Sequence, residues 1–173
     1  MNRIFLIGYM GSGKSSVGKR LAKNLKYDFV DLDRLIEANN QTTIAEVFAQ
    51  KGEIAFRELE RDALSLCFKM QNVVVALGGG TPGFFDNMSN IQKNGIAIYL
   101  KMPAGMLVQR LINSKQNRPL LDGKDEPELL EFVQQQLGER EKHYLRSHLI
   151  YSGANVDIQD LREKIERILD CDL

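Results

Sequence analysis

A chain of 173 residues, 43% hydrophobic and 27% charged, is long enough for one domain with a sizeable core. Lys+Arg and Asp+Glu are equal at 23 each, so no basic excess marks nucleic acid as the main partner. No apolar run approaches the ~18 residues of a membrane span, and the two cysteines, Cys67 and Cys171, show neither paired nor metal-ligand spacing.

Ile4–Ile7 is a near-continuous apolar run, the pattern of a strand covered on both faces. It leads into Gly8-Tyr9-Met10-Gly11-Ser12-Gly13-Lys14-Ser15, after which Ser15–Leu25 reads as a helix. The spacing G-x-x-x-x-G-K-S between a strand and a helix is that of a phosphate-cradling P-loop. Its glycines let successive backbone N–H groups turn inward around a phosphate, and the positive end of the following helix adds to the anion site. Lys14 supplies a mobile charge for the β- and γ-phosphates, and the Ser15 hydroxyl suits Mg²⁺. The candidate phosphate contacts are therefore Gly11, Ser12, Gly13, Lys14, Ser15 and Ser16. A dinucleotide-binding loop is the rival, with Asp31 at the required distance. From Gly11, however, the run G-S-G-K-S-S puts Ser16 where a third Gly or Ala belongs and leaves Lys14-Ser15 without a role. A secretory h-region is a further alternative for Ile4–Met10. That stretch is short, runs into Gly-Ser-Gly-Lys and has no A-x-A site after it, so the cytoplasm is the expected compartment.

Phe29-Val30 is a short second strand closing on Asp31-Leu32-Asp33. Thr43-Ile44-Ala45-Glu46 is a capping box that opens a short helix through Gln50. Gly52 breaks it, and Glu53–Met70 is a longer helix. Val73–Ala76 is a buried strand, followed by Leu77 and Gly78-Gly79-Gly80. Phe84–Lys93 reads as helix ended by Gly95, Ile96–Leu100 as strand, and Pro103 as the first position of a helix to Asn113. Ser114–Asp125, with Pro119 and Gly123, reads as a mobile loop. Glu126–Arg146 is a long helix, Leu149–Tyr151 a last strand and Gln159–Leu169 a last helix. Alternating strands and helices predict a three-layer α/β fold with a central parallel sheet.

In such a sheet ligands bind outside the carboxyl ends of the strands, so the P-loop, Asp31/Asp33 and Gly78–Gly80 are expected to converge. If strand conformation persists, Asp31 and Asp33 project the same way. One could hold Mg²⁺ through its waters and the other orient a substrate hydroxyl. Asp31 as a plain helix N-cap is the alternative, as is a simple turn for Gly78–Gly80. Two arginines lie on apolar helical stripes: Arg57 with Glu60, Leu64 and Phe68, and Arg140 with Val133, Leu137 and Tyr144. An inward arginine needs an anion. Glu60 can supply it for Arg57. Gln136 and Leu137 supply none for Arg140, which makes an external carboxylate or phosphate its natural partner. Snorkelling with exposed pairs such as Glu53–Arg57 and Gln136–Arg140 is the alternative. Arg118, beside Pro119-Leu120-Leu121, is either a cation on a closing loop or a solvated charge.

The P-loop, then D-L-D at 31–33, F-R-E-L-E at 56–60, G-G-G at 78–80, R-P-L-L at 118–121 and E-R-E-K-H-Y at 139–144, in this order, resemble shikimate kinase over about residues 3–145. The resemblance implies a single P-loop kinase domain, residues 1–173, of the nucleoside-monophosphate-kinase type. Its substrate-binding helical region is expected at about 33–61 and a mobile lid at about 114–125. It implies transfer from ATP to the 3-hydroxyl of shikimate in aromatic amino-acid biosynthesis, by a monomer using Mg²⁺. It places Lys14 and Ser15 on phosphates and Mg²⁺, with Asp31 behind the metal's waters. It puts Asp33 on the substrate hydroxyls, Arg57, Arg140 and the Gly78–Gly80 backbone on shikimate, Arg118 on the ATP phosphates and Arg110 beside the adenine. Phe48, Phe56, Pro119 and Leu120 would wall the carbocycle. The chain departs from the pattern after Val156-Asp157, where Ile158 replaces the usual Thr or Ser. A gluconate or nucleoside monophosphate kinase is the nearest competitor. A GTP-dependent switch would need N-K-x-D and D-x-x-G segments, which the chain lacks.

Overall fold

The computed structural model describes residues 2–114 and 125–171. Arg118, Pro119 and Leu120, and almost all of the expected lid, lie outside the described residues. Five strands form one sheet: β1 (Arg3–Ile7), β2 (Asp28–Asp31), β3 (Val73–Ala76), β4 (Ile96–Lys101) and β5 (Leu149–Ser152). They lie in the order β2-β3-β1-β4-β5, and each neighbouring pair is parallel. The chain steps to one side of β1 for β2 and β3, then to the other for β4 and β5.

Period-two alternation divides the apolar strand residues between two cores. Phe5, Ile7, Val73, Val75, Ala97 and Tyr99 face one layer, with α2 (Leu32–Asn40), α3 (Ile44–Cys67) and α4 (Asn87–Asn94). Ile4, Leu6, Val74, Ile96, Ile98 and Leu100 face the other, with α1 (Lys14–Leu25) and α7 (Ile158–Cys171). This is why the strands read as continuous apolar runs: both faces are covered, and each such side chain contributes ~1.5–3 kcal/mol by burial. A third cluster joins α5 (Ala104–Ile112) and α6 (Glu126–Tyr144) to Tyr9 and Met102 beside the P-loop.

The local signals act where the sequence puts them. Thr43 and Glu46 form the reciprocal capping box, and Gly52 kinks α3 with φ 78°. Asp125 and Glu128 form a second capping box that opens α6. Three boundaries differ from expectation. The segment after Gly80 is a 3₁₀ turn, Thr81–Gly83, and α4 begins only at Asn87, because Phe85 takes a left-handed φ of 48° that interrupts the helix. Pro103 is the N-cap of α5 rather than its first helical residue. Asp33 is not in extended continuation of β2, because the chain turns helical at Leu32 and puts Asp33 in the first turn of α2.

Candidate active site

The β1–α1 loop is built as an anion receptor. Gly13, at the N-cap of α1, has φ 91°, a left-handed value that favours glycine, and no side chain caps the helix. No acidic residue occupies the first turn either. The first backbone N–H groups of α1 thus have no intrahelical acceptor and retain the helix's positive end. Ser12 lies beneath them, its buried Oγ unpartnered among the described residues. Lys14 folds back over the loop and donates from Nζ to the carbonyls of Gly8 at 2.8 Å and Tyr9 at 2.9 Å. Arg110 of α5 bridges the same loop to the segment after β5, donating to Gly11 O at 3.4 Å, Gly153 O at 3.4 Å and Ala154 O at 3.1 Å. The segment after residue 150 is therefore brought to Arg110 despite its departure from the family pattern.

Asp31 occupies the N-cap position of α2, yet its carboxylate caps nothing. Instead it accepts from Ser15 Oγ at 2.7 Å. A hydroxyl and a carboxylate side by side at the mouth of an anion receptor are hard oxygen donors of the kind Mg²⁺ takes. Among the described residues there is no cluster of three metal-ligating side chains. A cation shared with phosphates needs only one or two protein oxygens, so Ser15 and Asp31 fit.

Asp33 is the most perturbed carboxyl here. Burial pushes it from 3.8 up to about 6, the negative charges of Asp31, Glu60 and Glu37 add to the rise, and Lys14 opposes it. Such a carboxyl is poised to accept a proton near neutral pH. Its Oδ1 would stand 3.2 Å from a Cβ on Gly78. A cavity of about 650 Å³ brings together Gly11, Gly13, Lys14, Ser15, Ser16, Asp31, Asp33, Gly78, Gly79 and Arg110.

Arg57, Gly80 and Arg140 are not among the cavity's lining residues, yet both arginines meet the glycine loop. A Cβ on Gly80 would lie 2.8 Å from Nη1 and Nη2 of Arg57, so a side chain there would have to displace the guanidinium edge. A Cβ on the adjacent Gly79 would lie 3.5 Å from Arg140 Nη1. Gly78–Gly80 closes as a turn, Thr81 N–H donating to Gly78 O at 3.2 Å, with both arginines against it.

The arginines are held by different means. Arg57 pairs with Glu60 at 2.8 Å and with Glu53 at 3.0 Å. Its guanidinium also stacks 3.9 Å from the centroid of Phe84 and 5.0 Å from that of Phe56. Glu60 is fully buried and also accepts from Thr81 Oγ1 at 2.5 Å. Arg140 donates to Gln136 Oε1 and lies 5.5 Å from the Tyr9 ring centroid. Phe48 and Phe56, expected as walls, touch with ring centroids 4.7 Å apart.

Sequence reasoning gave no part to Thr81, Phe84 or Tyr144. Tyr144 donates from its hydroxyl to Gly79 O. Its signal was present, one helical turn after Arg140 on the same face, whereas Thr81 and Phe84 follow a loop whose path the sequence does not reveal.

The shikimate kinase family model matches residues 10–171. The shikimate kinase of Bacteroides thetaiotaomicron is 39% identical over 174 residues, covering 96% of this chain and 99% of the relative. A crystal structure of shikimate kinase from that organism superposes with a TM-score of 0.90 at 38% identity, over 97% of this chain and 98% of that one. Shikimate kinase from Acinetobacter baumannii, solved in complex with shikimate, gives a TM-score of 0.85 at 31% identity, over 99% and 94% of the two chains.

Proposed function

Since the chain belongs to the shikimate kinase family, we propose how its own residues carry that reaction. The fold is that of the P-loop kinases, and the activity is phosphoryl transfer from ATP to the 3-hydroxyl of shikimate, giving shikimate 3-phosphate and ADP in aromatic amino-acid biosynthesis.

In this reading the substrate hydroxyl attacks the γ-phosphorus, its proton passes to Asp33 Oδ, and the bond to the β-phosphate oxygen breaks to leave ADP. The observation that carries the reading is a carboxyl raised to about 6 beside Lys14 and Gly78 in one cavity with the P-loop. Lys14 exchanges its carbonyl partners for the β- and γ-phosphates and stabilises charge as transfer proceeds. Gly11, Ser12, Gly13 and Ser16 supply the rest of the cradle. Mg²⁺, held by Ser15 and Asp31, would supply the positive charge that neutralises the phosphates. Arg110 flanks the adenine, with Arg118 reaching the phosphates from a lid at about 114–125. Arg57, Arg140 and the Gly78–Gly80 backbone bind the shikimate carboxylate and hydroxyls. The helical region at about 33–61 contributes Phe48 and Phe56, and the lid contributes Pro119 and Leu120, as walls. The whole chain acts as one domain, as a monomer, in the cytoplasm.

The test supplies purified protein with ATP and shikimate, gluconate or AMP in turn, with Mg²⁺ and with EDTA, and identifies the product by phosphorus NMR. Shikimate 3-phosphate should form only with Mg²⁺. Turnover of gluconate or AMP but not shikimate would overturn the substrate, and undiminished turnover in EDTA would overturn the metal.

A further inference from the structure

Tyr144 closes α6 and is fully buried, its ring 5.1 Å from that of Tyr99 at an interplanar angle of 50°. Its hydroxyl donates to the carbonyl of Gly79 and sits beside the Arg140 guanidinium, one turn earlier on the same helix, whose positive charge opposes the rise in its pKa. Burial pushes the phenol up to about 12, so the donated proton stays in place at any physiological pH.

Each contact has a geometric consequence. The Gly79 carbonyl belongs to the peptide unit that it shares with Gly80, and that unit is planar and trans. Fixing the oxygen on Tyr144 therefore aims the Gly80 N–H to the opposite side. Among the described residues neither the Gly79 nor the Gly80 N–H has a hydrogen-bond partner, which leaves both as donors. Meanwhile, among the described residues, the Arg140 guanidinium has the neutral partners Gln136 and the Tyr9 ring, with the phenol beside it. One hydroxyl thus ties the helix that carries this cation to a loop of three glycines that lacks side chains to fix itself.

Resting on the shikimate reading above, we propose that Tyr144 is a positioning residue for the acceptor substrate. Its hydroxyl locks the Gly79–Gly80 peptide and the Arg140 guanidinium into one geometry, and so sets affinity for shikimate without touching the nucleotide half of the site. The neighbouring Tyr99 hydroxyl is a built-in control. It donates at 3.1 Å to Glu141, whose partner Lys101 lies 2.9 Å away, and so leads away from the loop.

The experiment uses full-length Tyr144→Phe and Tyr99→Phe. It reads kcat, KM for shikimate and for MgATP, the shikimate Kd by calorimetry without nucleotide, and thermal melting. In Tyr144→Phe, KM and Kd for shikimate should rise about five- to thirty-fold, as expected for a buried acceptor left unpaired. KM for MgATP should stay within about two-fold and kcat should fall less than KM rises. Tyr99→Phe should keep wild-type shikimate affinity. Unchanged shikimate Kd in Tyr144→Phe, or equal rises in both KM values, would overturn the proposal. If Tyr144→Phe does not fold, 3-fluorotyrosine placed at 144 keeps the ring and alters the phenol as donor and acceptor. A shikimate Kd that moves with MgATP unchanged supports the proposal, and an unmoved one overturns it. Failure of the wild-type protein to bind shikimate would instead sink the substrate assignment, before any variant is read.

Discussion

Alanine at Arg57 and at Arg140 should damage the same substrate step while affecting stability differently. Arg57→Ala strips the fully buried Glu60 of its one charged partner among the described residues, at 2.8 Å, and leaves it the Thr81 hydroxyl there. Orphaning a buried carboxylate costs ~3–5 kcal/mol. In a chain of this size each kcal/mol moves Tm by roughly 2–4 °C, so the loss is about 6–20 °C. Among the described residues Arg140 has neutral partners, so its removal orphans no charge there, and Arg140→Ala should melt within about 4 °C of wild type. Both variants should lose about 2–5 kcal/mol in kcat/KM for shikimate, or roughly 30- to several-thousand-fold. Lysine should rescue poorly, because it lacks the planar two-donor fork. ADP release is assayed at saturating MgATP with shikimate varied, beside scanning calorimetry. The double variant Arg57→Ala/Glu60→Gln should recover part of the Tm but none of the activity. Wild-type kcat/KM in either single variant would remove that arginine from the site. An unchanged Tm in Arg57→Ala would refute the argument about Glu60.

Other consequences follow from the same geometry. Lys14→Ala should cut kcat at least about a hundred-fold while leaving shikimate Kd, measured without nucleotide, unchanged; loss of shikimate binding would refute the split of roles. For Asp33, kcat/KM should fall as pH drops through about 6, because protonation removes the acceptor. A flat profile from pH 5 to 8 would refute it as base. The stability sign is opposite: the folded carboxyl holds its proton more tightly than the unfolded one, so its contribution is full below 3.8 and is lost as pH rises through about 6. Asp33→Asn should therefore flatten the fall in ligand-free Tm between pH 4 and 6. Proteolysis within 114–125 should slow when MgADP and shikimate are both present, since closing loops exclude water from the reaction, and equal cleavage in both states would refute the lid.

The fold was legible because the strand signals were short apolar runs bounded by glycine, proline or polar residues. Val73–Ala76 and Ile96–Leu100 allowed no other reading. The P-loop was legible because its chemistry is local: eight consecutive residues carry the turn, the lysine and the hydroxyl. Asp31 and Asp33 were placed at the right sheet end but for a partly wrong reason, since a helix turn rather than an extended segment aims Asp33 inward. The arginines show where local reasoning stops. The i, i+3 and i, i+4 partners of Arg57 could be counted along the helix, and both are made. That its other faces rest on Phe84 and Gly80 depends on the path after β3, where a left-handed Phe85 delays the start of what reads as helix. Tyr144 escaped for the same reason, because its partner Gly79 is distant in sequence and offers only a carbonyl.

The central place of β1 in the sheet also dictates when the protein can fold during its own synthesis. Ile4 pairs with Val74 on one side and with Ile96 on the other, so β1 has no neighbour until β3 is made and lacks its second until β4 is made. Elongation at ~5–20 residues per second leaves Ile-Phe-Leu-Ile with two unpaired edges for several seconds. Nor is nucleotide able to rescue it early, because the loop that would grip phosphate is itself backed by late-made chain. A Cβ on Gly8 would lie 3.0 Å from Leu100 O, and one on Gly153 would lie 3.4 Å from Ser12 O. The nascent polypeptide therefore exposes this apolar strand before it can bind a stabilising ligand, which makes the interval before β4 emerges a period of dependence on chaperones.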